Sequence, residues 1–199
     1  MIQEWKHIKI PINRNMKFLK YFEGIRNNYQ EFGGVDKYYS DFGDGYDNPH
    51  LSYIKDIVQE AIDDDIVDLS HCLDMSCGNG EITNILIDNG VKNIEATDPY
   101  LCSNYSKHHD FNCLEYSFDG IMKGKLDNKE YSTIFCSYAL HLSDKSILPN
   151  LLWNLSLISK YLVIISPNNN PLIDGGWELI KKSRNDKSKC RIYKSLNFL

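Results

Sequence analysis

The stretch Leu73-Asp74-Met75-Ser76-Cys77-Gly78-Asn79-Gly80-Glu81 constrains this chain more than any other. An apolar run enters a tight Gly-x-Gly turn and continues into a segment with helical spacing. A second apolar run ends about 20 residues later in an acid, within Ala96-Thr97-Asp98-Pro99-Tyr100. Strand, glycine turn, helix and acid-tipped strand are the parts with which a doubly wound α/β domain holds a nucleoside. Small residues let the backbone approach the ligand, and the acid accepts hydrogen bonds from ribose hydroxyls.

Two details narrow the ligand. The dinucleotide fingerprint has a third glycine three positions after the second, where helix packs on strand and a pyrophosphate meets the helix N-terminus. Thr83 stands there. Asp74 adds a carboxylate at the end of the first strand, which repels a pyrophosphate and attracts a cation. A nucleoside with a positive group and no phosphate fits this pattern, and S-adenosylmethionine, with its ammonium and sulfonium, is such a ligand. A nicotinamide dinucleotide fits it less well.

On these residues the chain resembles the class I S-adenosylmethionine-dependent methyltransferases. The segment from Leu73 to Gly80 is similar to the family's first motif, which usually carries Gly where Met75 or Ser76 stands. Asp98 matches the acid that ends the second strand. Tyr131-Ser132-Thr133-Ile134-Phe135-Cys136-Ser137-Tyr138-Ala139-Leu140-His141-Leu142 resembles the fourth strand and active-site loop. A closer resemblance, from about residue 35 to about residue 177, is to a little-characterised eukaryotic-type branch of that family. It rests on Tyr46-Asp47-Asn48-Pro49-His50, Thr97-Asp98-Pro99-Tyr100, Ser117-Phe118-Asp119-Gly120-Ile121 and Ser137-Tyr138-Ala139-Leu140-His141-Leu142.

The resemblance implies an α/β fold with a doubly wound, mainly parallel Rossmann-like sheet. At 199 residues the chain reads as a single methyltransferase-like domain, with a helical lid over 1–46 and the core over 47–199. The net charge of -5 argues against a protein whose main task is gripping a phosphate backbone. No apolar run approaches the roughly 18 residues of a membrane span, and the first residues lack the apolar core of a signal peptide, so a cytoplasmic location is expected. The six cysteines form no C-x-x-C pair and several sit in apolar runs, so they are expected to be reduced thiols.

Along the chain, Asn48-Pro49 reads as a helix start, followed by Leu51, Ile54, Ile57, Val58 and Ala61 at helical spacing. Strands are expected over 71–75, 93–97, 111–114, 131–136 and 161–166, with helices between them. That alternation calls for a parallel sheet with right-handed crossovers. Beyond residue 170 the chain departs from the family pattern. A helix over 177–182 and one strand over 190–194 are expected, which leaves the sheet shortened or completed by a partner.

Each candidate site residue has a plainer alternative. Asp98 grips the ribose diol or caps the helix after Pro99. Asp74 orients the cofactor amino group or caps the strand end. Gly78 and Gly80, with Ser76 and Cys77, form the cofactor turn or an ordinary tight turn. The resemblance puts Phe118 against the adenine and Asp119 on its amino group; otherwise they are a core Phe and a solvated Asp. Tyr100 covers the adenine or is structural. Cys136 and Ser137 end the fourth strand next to the expected methyl group, with Tyr138 and His141 as candidate catalytic residues. Tyr38, Tyr39, Tyr46 and His50 are candidate lid or acceptor-pocket residues. His108-His109-Asp110 is not expected to hold a metal.

Methyl transfer from a sulfonium needs alignment and exclusion of water; a base such as His141 is needed only if the acceptor must lose a proton. The D/N-P-P-Y/F loop of base-amino methyltransferases and the Pro-Cys of cytosine-C5 enzymes are both absent at 136–139. A small-molecule acceptor methylated on oxygen or another heteroatom is therefore the leading reading, with S-adenosylhomocysteine as product. Two alternatives remain. One is an RNA or protein methyltransferase docking through Lys181, Lys182, Arg184, Lys187, Lys189 and Arg191. The other is a non-catalytic subunit that binds the cofactor.

Overall fold

The computed structural model describes residue 48 and residues 50–199, which belong to a compact unit running from Asp44 to Leu199. The lid expected over 1–46, with Tyr38, Tyr39 and Tyr46, lies outside the described residues.

Helix α1, Leu51–Asp63, buries Ile54, Ile57, Val58 and Ala61, the stripe its spacing predicts. His50 stands at its N-cap, and a turn at Asn48 leads in: the Asn48 Oδ1 accepts from the His50 N–H at 2.9 Å and its carbonyl from the Leu51 N–H at 3.0 Å. The chain then enters β1, Cys72–Met75, whose four residues are all buried. After it come α2, Glu81–Asp88; β2, Ile94–Thr97; α3, Cys102–Tyr105; β3, Cys113–Leu114; and α4, Phe118–Met122. Strand β4, Tyr131–Ser137, runs into a 3-10 turn at Leu140–Leu142, and α5, Leu148–Ile158, leads directly into β5, Ser159–Ser166.

Period-two alternation sorts the strand residues onto two faces. Cys72, Phe135, Val163 and Ile165 pack with α1 and α2. Leu73, Met75, Ile134, Cys136, Leu162 and Ile164 pack with α4 and α5. Helices cover both faces, so the inner strands read as continuous apolar runs.

The C-terminal region corrects the sequence reading. Residues 177–182 are not a helix: they open β6, Trp177–Arg184, which pairs antiparallel with β7, Lys189–Ser195. The sheet is not shortened. Its seven strands run in the order β3-β2-β1-β4-β5-β7-β6, and β7 lies antiparallel to both β5 and β6 while the rest are parallel. The helical appearance of 177–184 has a physical source. In an edge strand one side of the ladder is open and the outer face wet, so Glu178, Leu179, Ile180 and Lys182 are all exposed, and a register shift between Leu179 and Lys181 breaks the alternation. Charged side chains and a bulge are common devices for blunting a sheet edge.

The cysteine expectation is also corrected: Cys102 and Cys113 form a disulfide. They are 11 positions apart in sequence, but β3 returns alongside α3 and brings their Cα atoms to 5.3 Å. Cys72, Cys77, Cys136 and Cys190 are free thiols. Among the described residues no helix is long and apolar enough to cross a membrane.

Trp177 secures the edge hairpin. It is buried among the α5-side core residues, and its indole N–H donates to the Leu152 carbonyl at 2.8 Å. Trp177→Ala is expected to cost about 3–5 kcal/mol, the range for emptying a buried aromatic site, measured by urea unfolding.

Candidate functional site

The turn after β1 lies where β1 and β2 end, next to the end of β4. Three of its residues have positive φ: Ser76 (60°), Gly78 (58°) and Gly80 (88°). Ser76 holds a left-handed conformation that suits glycine, which accounts for the glycine the family usually carries near this position. Gly80 is required for an internal reason. A Cβ there would overlap the His109 ring, which packs at a tilt against Tyr105 and has its Nε2 3.2 Å from the Asn79 carbonyl.

The two expected acids are held differently. Asp74 is buried in β1, and its Oδ2 accepts from the Thr83 N–H at 3.0 Å and the Thr83 hydroxyl at 2.8 Å. The Tyr105 hydroxyl lies 3.0 Å from Thr83 Oγ1 and extends the chain. Thr83 thus fills the third-glycine position with a side chain that locks the turn to the strand. Burial pushes the Asp74 carboxyl up to about 7, against the pull of the Thr83 bonds. Asp98 accepts from the Gly78 N–H at 3.1 Å on Oδ2, and from the Tyr100 and Leu101 N–H groups at 2.9 Å on Oδ1. It therefore caps the turn into α3, the plainer of its two sequence readings, and its orientation is fixed from both sides. Burial raises its pKa and these three N–H bonds counter the rise.

A third carboxyl was missed by sequence reasoning. Glu81, the first residue of α2, is half-buried beside the turn, and its Oε2 lies 3.3 Å from where a Gly78 Cβ would stand. Burial raises its pKa; its own N–H, the Asn48 side chain and the Asn79 N–H counter this, and Asp98 adds to the rise. An acid in the first helical turn was the available signal.

Next to the end of β4, Tyr138 has φ of 53° and donates its hydroxyl to the Lys187 carbonyl at 2.9 Å, with Ser188 Oγ at 3.0 Å. The His50 ring stacks on it at 4.9 Å, and the His141 ring meets it edge-on at 6.4 Å. His50, Tyr138 and His141 are thus brought together, and the β6–β7 turn ties them down. Burial, then the Lys187 charge, lowers the His50 pKa, so its imidazole is neutral at pH 7. Ser137 Oγ is buried with no hydrogen-bond partner among the described residues. Cys136 faces the core, where burial pushes its thiol up to about 12.

Other predicted residues are more peripheral. Phe118 packs on the α5-side core, while Asp119 is exposed and pairs with Lys123 at 2.6 Å. Tyr100 is 44% exposed and follows the half-buried Pro99. The basic C-terminal run is divided. Lys181 pairs with Glu60 at 2.9 Å and with Asp64, while Arg191 is buried and donates to the Asn169 and Asn170 carbonyls at 2.9 and 3.1 Å. A separate open cleft of about 640 Å³ lies at the opposite end of the sheet, between Asp68, His71, Lys160 and Lys194. Asp68 and Lys160 there are already paired, at 3.5 Å.

Known proteins share this framework. No family model matches the chain. An uncharacterised protein of Schizosaccharomyces pombe is 26% identical over 195 residues, covering 77% of this chain and 78% of that one. Among solved structures, magnesium protoporphyrin IX methyltransferase of Synechocystis with bound SAM matches with a TM-score of 0.57, over 94% of this chain and 99% of that one, at 11% identity. The PH0226 protein of Pyrococcus horikoshii matches at 0.63, over 81% and 100%, at 11% identity. The CcbJ methyltransferase of Streptomyces caelestis matches at 0.59, over 79% and 96%, at 12% identity. The chain has the Rossmann-like methyltransferase fold.

Two stability predictions follow from the turn. Asp74 keeps its proton to higher pH folded than unfolded. The stability this confers is full below the ordinary carboxylate range and is lost as pH rises through about 7. Asp74→Asn keeps an acceptor for Thr83. It should gain on the wild type between about pH 4 and about pH 8, by up to about 4 kcal/mol, seen as diverging urea midpoints. Gly80→Ala should cost more than the roughly 1–2 kcal/mol of left-handed strain. In a His109→Ala background that cost should shrink toward the strain alone, giving a clear coupling in a double-mutant cycle.

Proposed function

We propose that this chain binds S-adenosylmethionine and transfers its methyl group to a small-molecule acceptor, through oxygen or another heteroatom. The observation that carries the reading is the set of three carboxyls, Asp74 and Asp98 buried and Glu81 half-buried, around one glycine turn on this fold. Buried acids with raised pKa values favour a cation, and they disfavour the phosphates of a dinucleotide. The solved structures of this fold with bound SAM and SAH support the same ligand. The eukaryotic-type branch also belongs to this proposal, and the Schizosaccharomyces pombe relative supports it.

When bound, the cofactor supplies an activated methyl group, so the protein's work is positioning and exclusion of water. Asp98, held by Gly78, Tyr100 and Leu101, accepts from the ribose hydroxyls. Asp74 and Glu81 set a negative field around Ser76, Cys77, Gly78 and Gly80 that favours the ammonium and sulfonium. Phe118 and Tyr100 flank the base, with Asp119 at its amino group. Ser137 offers a buried hydroxyl near the reacting end. His50, Tyr138 and His141 wall the acceptor side, and His141 takes the proton where the acceptor must lose one. The completed sheet removes the shortened C-terminus that favoured a non-catalytic subunit. The use of Lys181 and Arg191 inside the fold weakens the basic run as an RNA dock.

Calorimetric titration with S-adenosylmethionine, S-adenosylhomocysteine and NAD should give micromolar binding of the two sulfur nucleosides, no binding of NAD, and loss of both in Asp98→Ala. Affinity for S-adenosylmethionine should fall as pH drops below about 7, because Asp74 takes up a proton, and fall less for the uncharged-sulfur product. Binding of NAD alone would overturn the proposal.

A further inference from the structure

Three sulfurs meet beneath the glycine turn. Cys113, on β3, is bonded to Cys102 at the start of α3, and its Sγ lies 3.8 Å from the free Cys77 thiol. Cys77 is buried against Ala96 and Tyr105, and its N–H donates to the Thr97 carbonyl at 2.9 Å. Cys77 precedes Gly78 and Cys102 follows Leu101, and the N–H groups of Gly78 and Leu101 hold the two oxygens of Asp98. Each possible partner of Cys113 is thus one residue from one support of that carboxylate.

We propose that Cys77, Cys102 and Cys113 form a thiol–disulfide exchange site in which Cys113 is shared. Cys77 Sγ loses its proton and attacks Cys113 Sγ; the Cys102–Cys113 bond breaks, the Cys77–Cys113 bond forms, and Cys102 leaves as a thiolate that takes up the proton. Atoms and electrons balance, and no external oxidant or reductant is consumed. The groups facing Cys77 set how readily it attacks. Burial, followed by the Asp74, Asp98 and Glu81 charges, pushes its thiol up, and the Tyr105 phenol packed beside it is raised too. Near neutral pH Cys77 is held as the thiol and attack is slow, so the Cys102–Cys113 bond persists; alkaline conditions speed exchange. Exchange moves the covalent tether from the Leu101 side of Asp98 to the Gly78 side. Its effect on nucleoside affinity rests on the function proposed above, whereas the sulfur chemistry does not, so the two can fail separately.

The test is a disulfide map of the full chain, purified without reductant. Samples held near neutral and at alkaline pH are quenched in acid, alkylated with N-ethylmaleimide, digested and read by mass spectrometry. The expected result is Cys102–Cys113 with alkylated Cys77 near neutrality. In alkali, Cys77–Cys113 should appear, with the loss of alkylation at Cys77 matched by a gain at Cys102. In Cys102→Ser treated with oxidised glutathione, Cys77–Cys113 should form. The proposal is overturned if the wild type carries no disulfide, or if Cys77 stays unpaired in both the alkaline wild type and the variant. Pairing of Cys72, Cys136 or Cys190 to the same extent would also overturn it, because that is scrambling of an unfolded chain.

Discussion

The hydrogen bonds from Thr83 to the buried Asp74 carboxyl organise the rest of the site. A carboxyl this deep in a sheet is tolerated because two donors of one residue meet the same oxygen. Those bonds pin the first turn of α2 to the end of β1, which fixes the path of the chain from Ser76 to Gly80. That path aims the Gly78 N–H at Asp98, and Asp98 in turn collects the N–H groups of Tyr100 and Leu101. Neighbouring strand ends are thereby coupled by side chains as well as by the ladder between β1 and β2. Such a framework is pre-organised: its polar groups are held in place by one another.

The same framework concentrates negative potential. Beyond burial, Glu81 and Asp98 push the Asp74 pKa up, Asp98 pushes up that of Glu81, and all three push up the Cys77 thiol. A cluster of this kind is unfavourable, and neutralising one of its acids relieves it. Stability therefore depends on this arrangement of charge. Around Tyr138 the chemistry differs: aromatic and imidazole rings dominate, and Tyr138 is tethered by its hydroxyl to the β6–β7 turn.

Much of the fold was legible because burial on two faces leaves a plain pattern. Leu162-Val163-Ile164-Ile165 reads as an inner strand at sight, and Ile54, Ile57, Val58 and Ala61 read as one helix stripe. The pattern failed where burial is one-sided. Glu178 to Lys182 lie at an edge with a register shift, so alternation gives way to charges that look helical. The Cys102–Cys113 bond was invisible because it depends on how β3 returns beside α3, which spacing alone does not encode. At the site, Asp74, Asp98 and the glycines were legible from local order. Glu81 was hidden by its ordinary place at a helix start, and the distribution of Lys181 and Arg191 into internal pairs needs tertiary contacts to see.

The antiparallel β7 has a consequence for assembly. The strands from β1 to β5 join through long parallel crossovers, whereas β6 and β7 form a local hairpin that closes quickly once made. Yet Ser188 and Lys187, which hold Tyr138, sit on that hairpin and leave the ribosome after every strand they support. A growing chain can therefore set the glycine turn and its carboxyls in place while the wall around Tyr138 is still untethered, and the two halves of the site mature at different times in synthesis.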